Sequence, residues 1–139
     1  VLAGCAAQNA EPQPPEIAYG QDICDECGMI ISQANFAAAL ILENGDTRKF
    51  DDPGEMFIYA SKHPDEVVKA WFVHDHGTEK WVNGEAASYL ISPTLQSSPM
   101  GTGMIAFENK SDAEKLAAGL GLEVLDFDAV SKAMQNKGK

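Results

Sequence analysis

Apolar and polar positions divide the chain into short runs separated by turn residues. The run Phe36-Ala37-Ala38-Ala39-Leu40-Ile41-Leu42 is apolar throughout and predicts a buried strand. Glu43-Asn44-Gly45-Asp46 follows, with an Asn-Gly pair at its centre, and predicts a hairpin returning through 47–50. Asp51-Asp52-Pro53-Gly54-Glu55 is a helix start: Asp52 as N-cap, Pro53 in the first turn, and Glu55 completing a capping box. Met56, Phe57, Tyr59 and Ala60 give that helix its apolar face, and His63-Pro64 stops it. Positions 67–73 predict a further strand, running into His74-Asp75-His76-Gly77.

The second half follows the same order. Strand material lies at Trp81-Val82, at 86–91 and at Met104-Ile105-Ala106-Phe107. A helix is predicted after Ser111 as cap with Glu114 three residues on, ended by Gly119 and Gly121. A last strand is predicted over 122–127, with a short helix in the tail. Arg48-Lys49-Phe50-Asp51-Asp52 and Ile105-Ala106-Phe107-Glu108-Asn109 are alike, and each precedes a capped helix. The expectation is an α+β protein of two pseudo-repeated ββαβ units, 21–78 and 79–139.

Composition adds little to this, but charge does. Ten Lys+Arg stand against 21 Asp+Glu, for a formal net charge of −11. That argues against nucleic acid or an anionic membrane surface as a partner, because phosphate binding needs basic surface. No stretch approaches the about 20 consecutive apolar residues of a membrane span. The opening Val1-Leu2-Ala3-Gly4-Cys5 looks like the end of a bacterial lipoprotein signal, in which Cys5 is lipidated. Ala6 at the next position favours the outer membrane over the inner one by the usual sorting rule. The expected location is therefore the periplasm, an oxidising compartment. Residues 6–20 are polar and proline-rich at their start and are expected to form a flexible tether.

Candidate chemistry centres on Cys24-Asp25-Glu26-Cys27-Gly28-Met29. Thiolates and a thioether are soft donors that select Cu(I), zinc or an iron–sulfur cluster. Gly28 lets the backbone turn there, so that Cys27 and Met29 can point toward one spot. Methionine is unusual around zinc or iron–sulfur clusters, which tilts the choice to copper. Met100, in the small-residue loop Ser-Pro-Met-Gly-Thr-Gly-Met, is a further soft donor, with ligand and loop anchor both open. Met104 reads as core.

Two rival readings share the cysteines. His74 and His76 fall on one face of a strand by its period of two, and with Cys24 and Cys27 they would make a Cys2His2 zinc site in a binding module. Cys24 and Cys27 alone would serve a thiol–disulfide oxidoreductase, although no helix clearly begins at Cys24. No nucleophile elbow or phosphate-binding glycine loop occurs, and Asp51-Asp52 is accounted for by capping.

Taken in order, the lipobox Leu2-Ala3-Gly4-Cys5, Cys24-x-x-Cys27-Gly28-Met29, Phe50-Asp51-Asp52-x-Gly54-x-Met56, Trp81-Val82 and Ser98-Pro99-Met100-Gly101 span nearly the whole globular part. In these elements the chain resembles the NosL family, accessory lipoproteins of nitrous oxide reductase maturation. The resemblance implies a pair of ββαβ units with similarity to part of organomercurial lyase. It also implies a periplasmic chaperone, not an enzyme, that binds one Cu(I) and delivers it for the reductase's copper centres. Its partners would be nitrous oxide reductase and an associated membrane transporter complex. The ligand set expected on this basis is Cys27 with Met29 and Met100, and Cys24 as second thiolate or exchange ligand. Many family members carry a cysteine between the glycine and methionine of the F-D-D element. Here that position is Glu55, so any role for a cysteine there is absent and a ligand from the element is less expected.

Overall fold

The computed structural model describes residues 11–94 and 98–137; the lipobox and Cys5 lie outside them. A four-stranded antiparallel sheet has the order β2-β1-β3-β4. Its strands are β1 (Ala38–Leu42), β2 (Thr47–Phe50), β3 (Val68–His74) and β4 (Trp81–Asn83). A second sheet pairs β5 (Ser88–Ile91) with β6 (Met104–Phe107). Helices α1 (Pro53–Lys62), α2 (Lys110–Leu120) and α3 (Phe127–Gln135) complete the α+β fold. Among the described residues no helix is long and apolar enough to cross a membrane.

The period of two in the strands sorts side chains between two cores. Ala38, Leu40 and Leu42 of β1 meet Phe50, Met56 and Phe57 in the main core, which Tyr89, Met104 and Ala106 close from the small sheet. Leu90, Ile105 and Phe107 point the other way, onto Ala113 and Ala117 of α2. The small sheet is thus covered on both faces, which is why β6 reads as an unbroken apolar run. The sheets join where the His76 N–H donates to the Ala106 carbonyl at 2.8 Å. Asp75 clasps the junction, its carboxylate accepting from the N–H groups of Gly77, Thr78 and Glu108.

The first half runs β1-β2-α1-β3, with the Asn44-Gly45 turn where it was expected. The second half runs β5-β6-α2. Here the run 122–127 contributes a single bridge, Leu125 to Tyr89, in place of a strand. Asp126 ends it by capping α3, accepting from the Ala129 N–H at 2.9 Å. Strand β4, just past position 79, extends the first sheet by pairing with β3. The start of α2 also differs from expectation: Asn109 holds the N-cap position without a side-chain capping bond, and Ser111 and Gly119 lie within the helix. Within the segment 6–20, Ile17 is buried in the main core and the Ala18 N–H donates to Asp22 at 2.8 Å.

Candidate metal centre

The stretch 23–30 is a tight hairpin. Ile23 and Ile30 are bridge partners, the Cys24 N–H donates to the Met29 carbonyl at 2.8 Å, and the Gly28 N–H donates back to Cys24 at 2.9 Å. Gly28 closes the turn at φ +77°, a conformation that costs a residue with a Cβ roughly 1–2 kcal/mol. The hairpin is fastened to the edge of the large sheet through Lys49. Its carbonyl accepts from the Asp25 N–H at 2.8 Å and its N–H donates to the Asp25 carboxylate at 2.7 Å. Its ammonium pairs with Asp22 at 2.7 Å. Across the hairpin, Glu26 pairs with Lys62 near the end of α1.

This placement drives the two thiols against the start of α1. Cys24 is buried in the main core and Cys27 is half-buried, with no disulfide between them. The Cys27 thiol donates toward both Asp51 carboxylate oxygens, at 3.7 and 3.6 Å. The two sulfurs and a carboxylate oxygen of Glu55 all lie within 4.8 Å of one another. Glu55 therefore does not complete a capping box. From the first turn of α1 it turns to the thiols, so the F-D-D element brings a carboxylate to a group that could hold a metal ion. A carboxylate can occupy a metal-ligand position as well as a thiolate.

Asp52 caps α1 as expected, accepting from the Gly54 N–H at 2.8 Å. It also reaches the other soft donor's loop. Its carboxylate accepts from the Met100 N–H at 3.4 Å and from the Thr102 hydroxyl. The approach is so close that a Cβ on Gly54 would stand 2.6 Å from the Thr102 side chain, inside any allowed contact. Consecutive residues thus face two ways: Asp51 toward Cys27, Asp52 toward the Met100 loop. Met29 is 58% exposed and Met100 38% exposed.

Electrostatically the cluster favours protons over bare charge. Burial pushes the Cys24 thiol up to about 12, and pushes Cys27 up as well, helped by the nearby carboxylates of Asp51 and Glu55. Burial likewise raises Asp51. Glu55 is raised to about 7, first by burial and then by the charges of Glu26, Asp51 and Asp52. Four acidic groups taken out of water beside one another gain their charge most easily when a cation sits among them.

The histidines stand elsewhere. Among the described residues, the only cluster of three or more His, Cys, Asp or Glu with metal-holding geometry is Cys24, Cys27 and Glu55, so the Cys2His2 set with His74 and His76 does not assemble. His74 is stacked on Trp81, ring centroids 3.7 Å apart, and its Nδ1–H donates to the Ala37 carbonyl at 2.7 Å. That leaves Nε2 to accept from the Tyr19 hydroxyl at 3.4 Å. His76 packs edge-on against Phe36 and bonds Asn35. Burial lowers both pKa values, holding the rings neutral. The oxidoreductase reading fares poorly too. An attacking redox thiol sits at a helix start with its pKa depressed, whereas these thiols sit in a hairpin with theirs raised.

The NosL family model matches residues 16–135, nearly the whole of the described body. The chain belongs to the NosL family. It is 26% identical to the copper-binding lipoprotein NosL of Stutzerimonas stutzeri over 144 residues, which span 96% of this chain and 75% of that protein. Its fold is similar to that of the copper chaperone NosL from Shewanella denitrificans, with a TM-score of 0.72 at 21% identity. That likeness covers 85% of this chain and 96% of the other. The hairpin, the F-D-D element and the Met100 loop all fall within the matched range of the NosL model.

Proposed function

We propose that this protein is a periplasmic Cu(I) chaperone that supplies copper for assembly of the nitrous oxide reductase copper centres. Its partners in this reading are the reductase and a membrane transporter complex, and a lipid on Cys5 anchors it to the outer membrane. The observation that carries the reading is the cluster, within 4.8 Å, of two thiols on a hairpin whose tip faces water and one carboxylate from α1. Thiolates hold Cu(I) tightly because both are soft. The names of the two relatives, a copper-binding lipoprotein and a copper chaperone, point the same way.

In this reading Cys24 and Cys27 supply the thiolates with Glu55 beside them, and the exposed Met29 and Met100 are the candidate thioethers. Low coordination with an exposed flank suits handing the ion on, since an acceptor sulfur can add before a chaperone sulfur leaves. The test is an anaerobic titration of the reduced protein with Cu(I) against a chromophoric chelator, with Zn(II) in parallel. One-to-one Cu(I) binding that falls at least about a hundredfold in Cys27→Ser is the expected result. Tight zinc binding with no preference for copper would overturn the reading and make the centre structural.

A further inference from the structure

A hollow of about 400 Å³ opens at the C-terminal end of α1, with α1, β3 and α3 as its walls. That volume falls in the range of about 300–1,000 Å³ that small-ligand sites occupy. Trp71 and Phe127 stand part-exposed in the wall, edge to face with ring centroids 5.0 Å apart. Trp71 also stacks on the buried Phe57 at 5.5 Å, so the aromatic wall is braced from within. Such a wall takes a further aromatic ring offset or edge-on. The thiol centre has no part in it: at about 1.5 Å per residue, Ser61 and His63 lie roughly 9 and 12 Å along the chain from Glu55.

The polar groups on the α1 side of the hollow have spent their hydrogens or have none. Ser61 donates its hydroxyl hydrogen to the Ile58 carbonyl at 2.7 Å. His63 donates through Nδ1 to the Tyr59 carbonyl at 2.9 Å, and in the neutral ring Nε2 is then an acceptor. The Ala60 carbonyl lacks its helical donor, because the residue four on is Pro64 and the His63 N–H goes to Tyr59 at 3.1 Å. Glu66 pairs with Arg48 through Oε1, while its Oε2 is buried and makes no hydrogen bond. Among the described residues no lysine or arginine lines the hollow, and Lys62 is drawn away to Glu26. Arg48 balances the charge of Glu66. What remains is a set of unmet acceptors beside the negative end of the α1 dipole.

We propose that this hollow is a binding site for a small primary arylalkylamine, taken as the ammonium. An ammonium carries three donors and no acceptor, which is what a rim of acceptors lacks. The aryl group stands against Trp71 and Phe127. An alcohol brings a single donor, and a carboxylate brings none and meets the acceptors unfavourably. A lysine side chain offers the same ammonium without the ring, so the ring distinguishes a free amine from a protein partner. The site is independent of the copper reading, because none of its walls belongs to the thiol cluster.

Four compounds titrated into the metal-free protein and followed by amide NMR test this: phenethylamine, phenethyl alcohol, hydrocinnamate and Nα-acetyl-lysinamide. Phenethylamine should shift signals within 57–71 and 127–135 with a Kd below about 1 mM, and leave those of 23–30 unmoved. The other three should bind at least about tenfold more weakly. Ser131→Phe, which fills the hollow from α3, should abolish the shifts while Cu(I) affinity in chelator competition stays parental. Ser61→Ala/His63→Phe keeps a ring beside Tyr59 and removes two acceptors. It should weaken the amine at least about tenfold and bring it level with the alcohol, and it carries the test should Ser131→Phe fail to fold. Equal binding of amine and alcohol by the parental protein, parental amine affinity in the double variant, or shifts confined to other surfaces would overturn the site. Nα-acetyl-lysinamide binding as tightly as phenethylamine would overturn the free amine in favour of a lysine side chain.

Discussion

The acidity of the medium should control copper affinity steeply, in a way that counts the ligands. Both thiols carry protons at neutral pH, since burial has pushed both up, Cys24 to about 12. Raising Cys24 from 9.0 to about 12 adds about 4 kcal/mol to the work of forming its thiolate. That holds apparent affinity at neutral pH about a thousandfold below what an unburied pair would give. Each proton displaced by the metal adds one decade of affinity per pH unit. Two thiol protons therefore predict about two decades per unit above the Glu55 value of about 7. Below it, the Glu55 proton must leave as well, and the slope should steepen toward about three. The assay is the anaerobic Cu(I) competition repeated from about pH 5.5 to 8.5, with the chelator's own titration subtracted. Cys24→Ser should remove one decade per unit throughout, and Glu55→Gln should remove only the steepening below about pH 7. A parental slope of one decade or less would refute a centre built on two thiolates. An unchanged slope in Cys24→Ser would remove Cys24 from it.

Three further outcomes follow from the same contacts. Glu55 is raised from 4.5 to about 7, so the folded chain keeps a proton that the unfolded chain gives up, and metal-free stability falls as pH climbs through that window. Glu55→Gln should therefore gain up to about 3 kcal/mol at pH 8 and nothing near pH 4, read by urea unfolding of the metal-free protein. Asp52→Ala removes the α1 cap and leaves the Thr102 hydroxyl and Met100 N–H without their acceptor. It should cost about 3 kcal/mol and lower the thermal midpoint accordingly. His74→Ala should cost about 1–3 kcal/mol through the lost Ala37 bond and Trp81 stacking, yet leave Cu(I) and Zn(II) affinities unchanged. Loss of zinc binding in that variant would restore the Cys2His2 site.

What could be read along the chain was whatever depends on neighbours in sequence. Asn44-Gly45 turned the hairpin and Asp52-Pro53 began α1, because turn and cap preferences act within a few residues. Met104–Phe107 formed as a strand, its run apolar because both faces are covered. Glu55 could not be placed in this way. The capping pattern gave it a backbone partner in its own turn, and only the docking of the hairpin through Lys49 brings two thiols within reach instead. The histidines failed for a related reason. β3 ends at His74, Asp75 turns the chain into the small sheet, and the two rings finish among different aromatic neighbours. At 122–127 the alternation reads as a strand, but pairing with β5 stops at one bridge because Asp126 opens α3.

A carrier must bind a soft ion firmly and still release it, and the hairpin separates the two demands in space. Cys24 sits inside the core, joined to the body by packing, while its partner Cys27 lies next to the glycine turn and the exposed Met29. The flanks are held by main-chain bonds to Lys49, and the ion pairs of Asp22 and Glu26 add only about 0.2–1 kcal/mol each. Across the tip the Gly28 N–H donates to the Cys24 carbonyl. Displacing Cys27 therefore need not disturb the strand beneath, whereas displacing Cys24 must expose core. If these sulfurs hold the ion as proposed, burial sets the expected order of loss: the exposed sulfurs first, Cys27 next and Cys24 last. A helix-borne Cys-x-x-Cys would lower both thiol pKa values through the helix N-terminus and favour disulfide chemistry. Set in a hairpin against two carboxylates, the same spacing keeps the thiols protonated and leaves their charge to be drawn out by a cation.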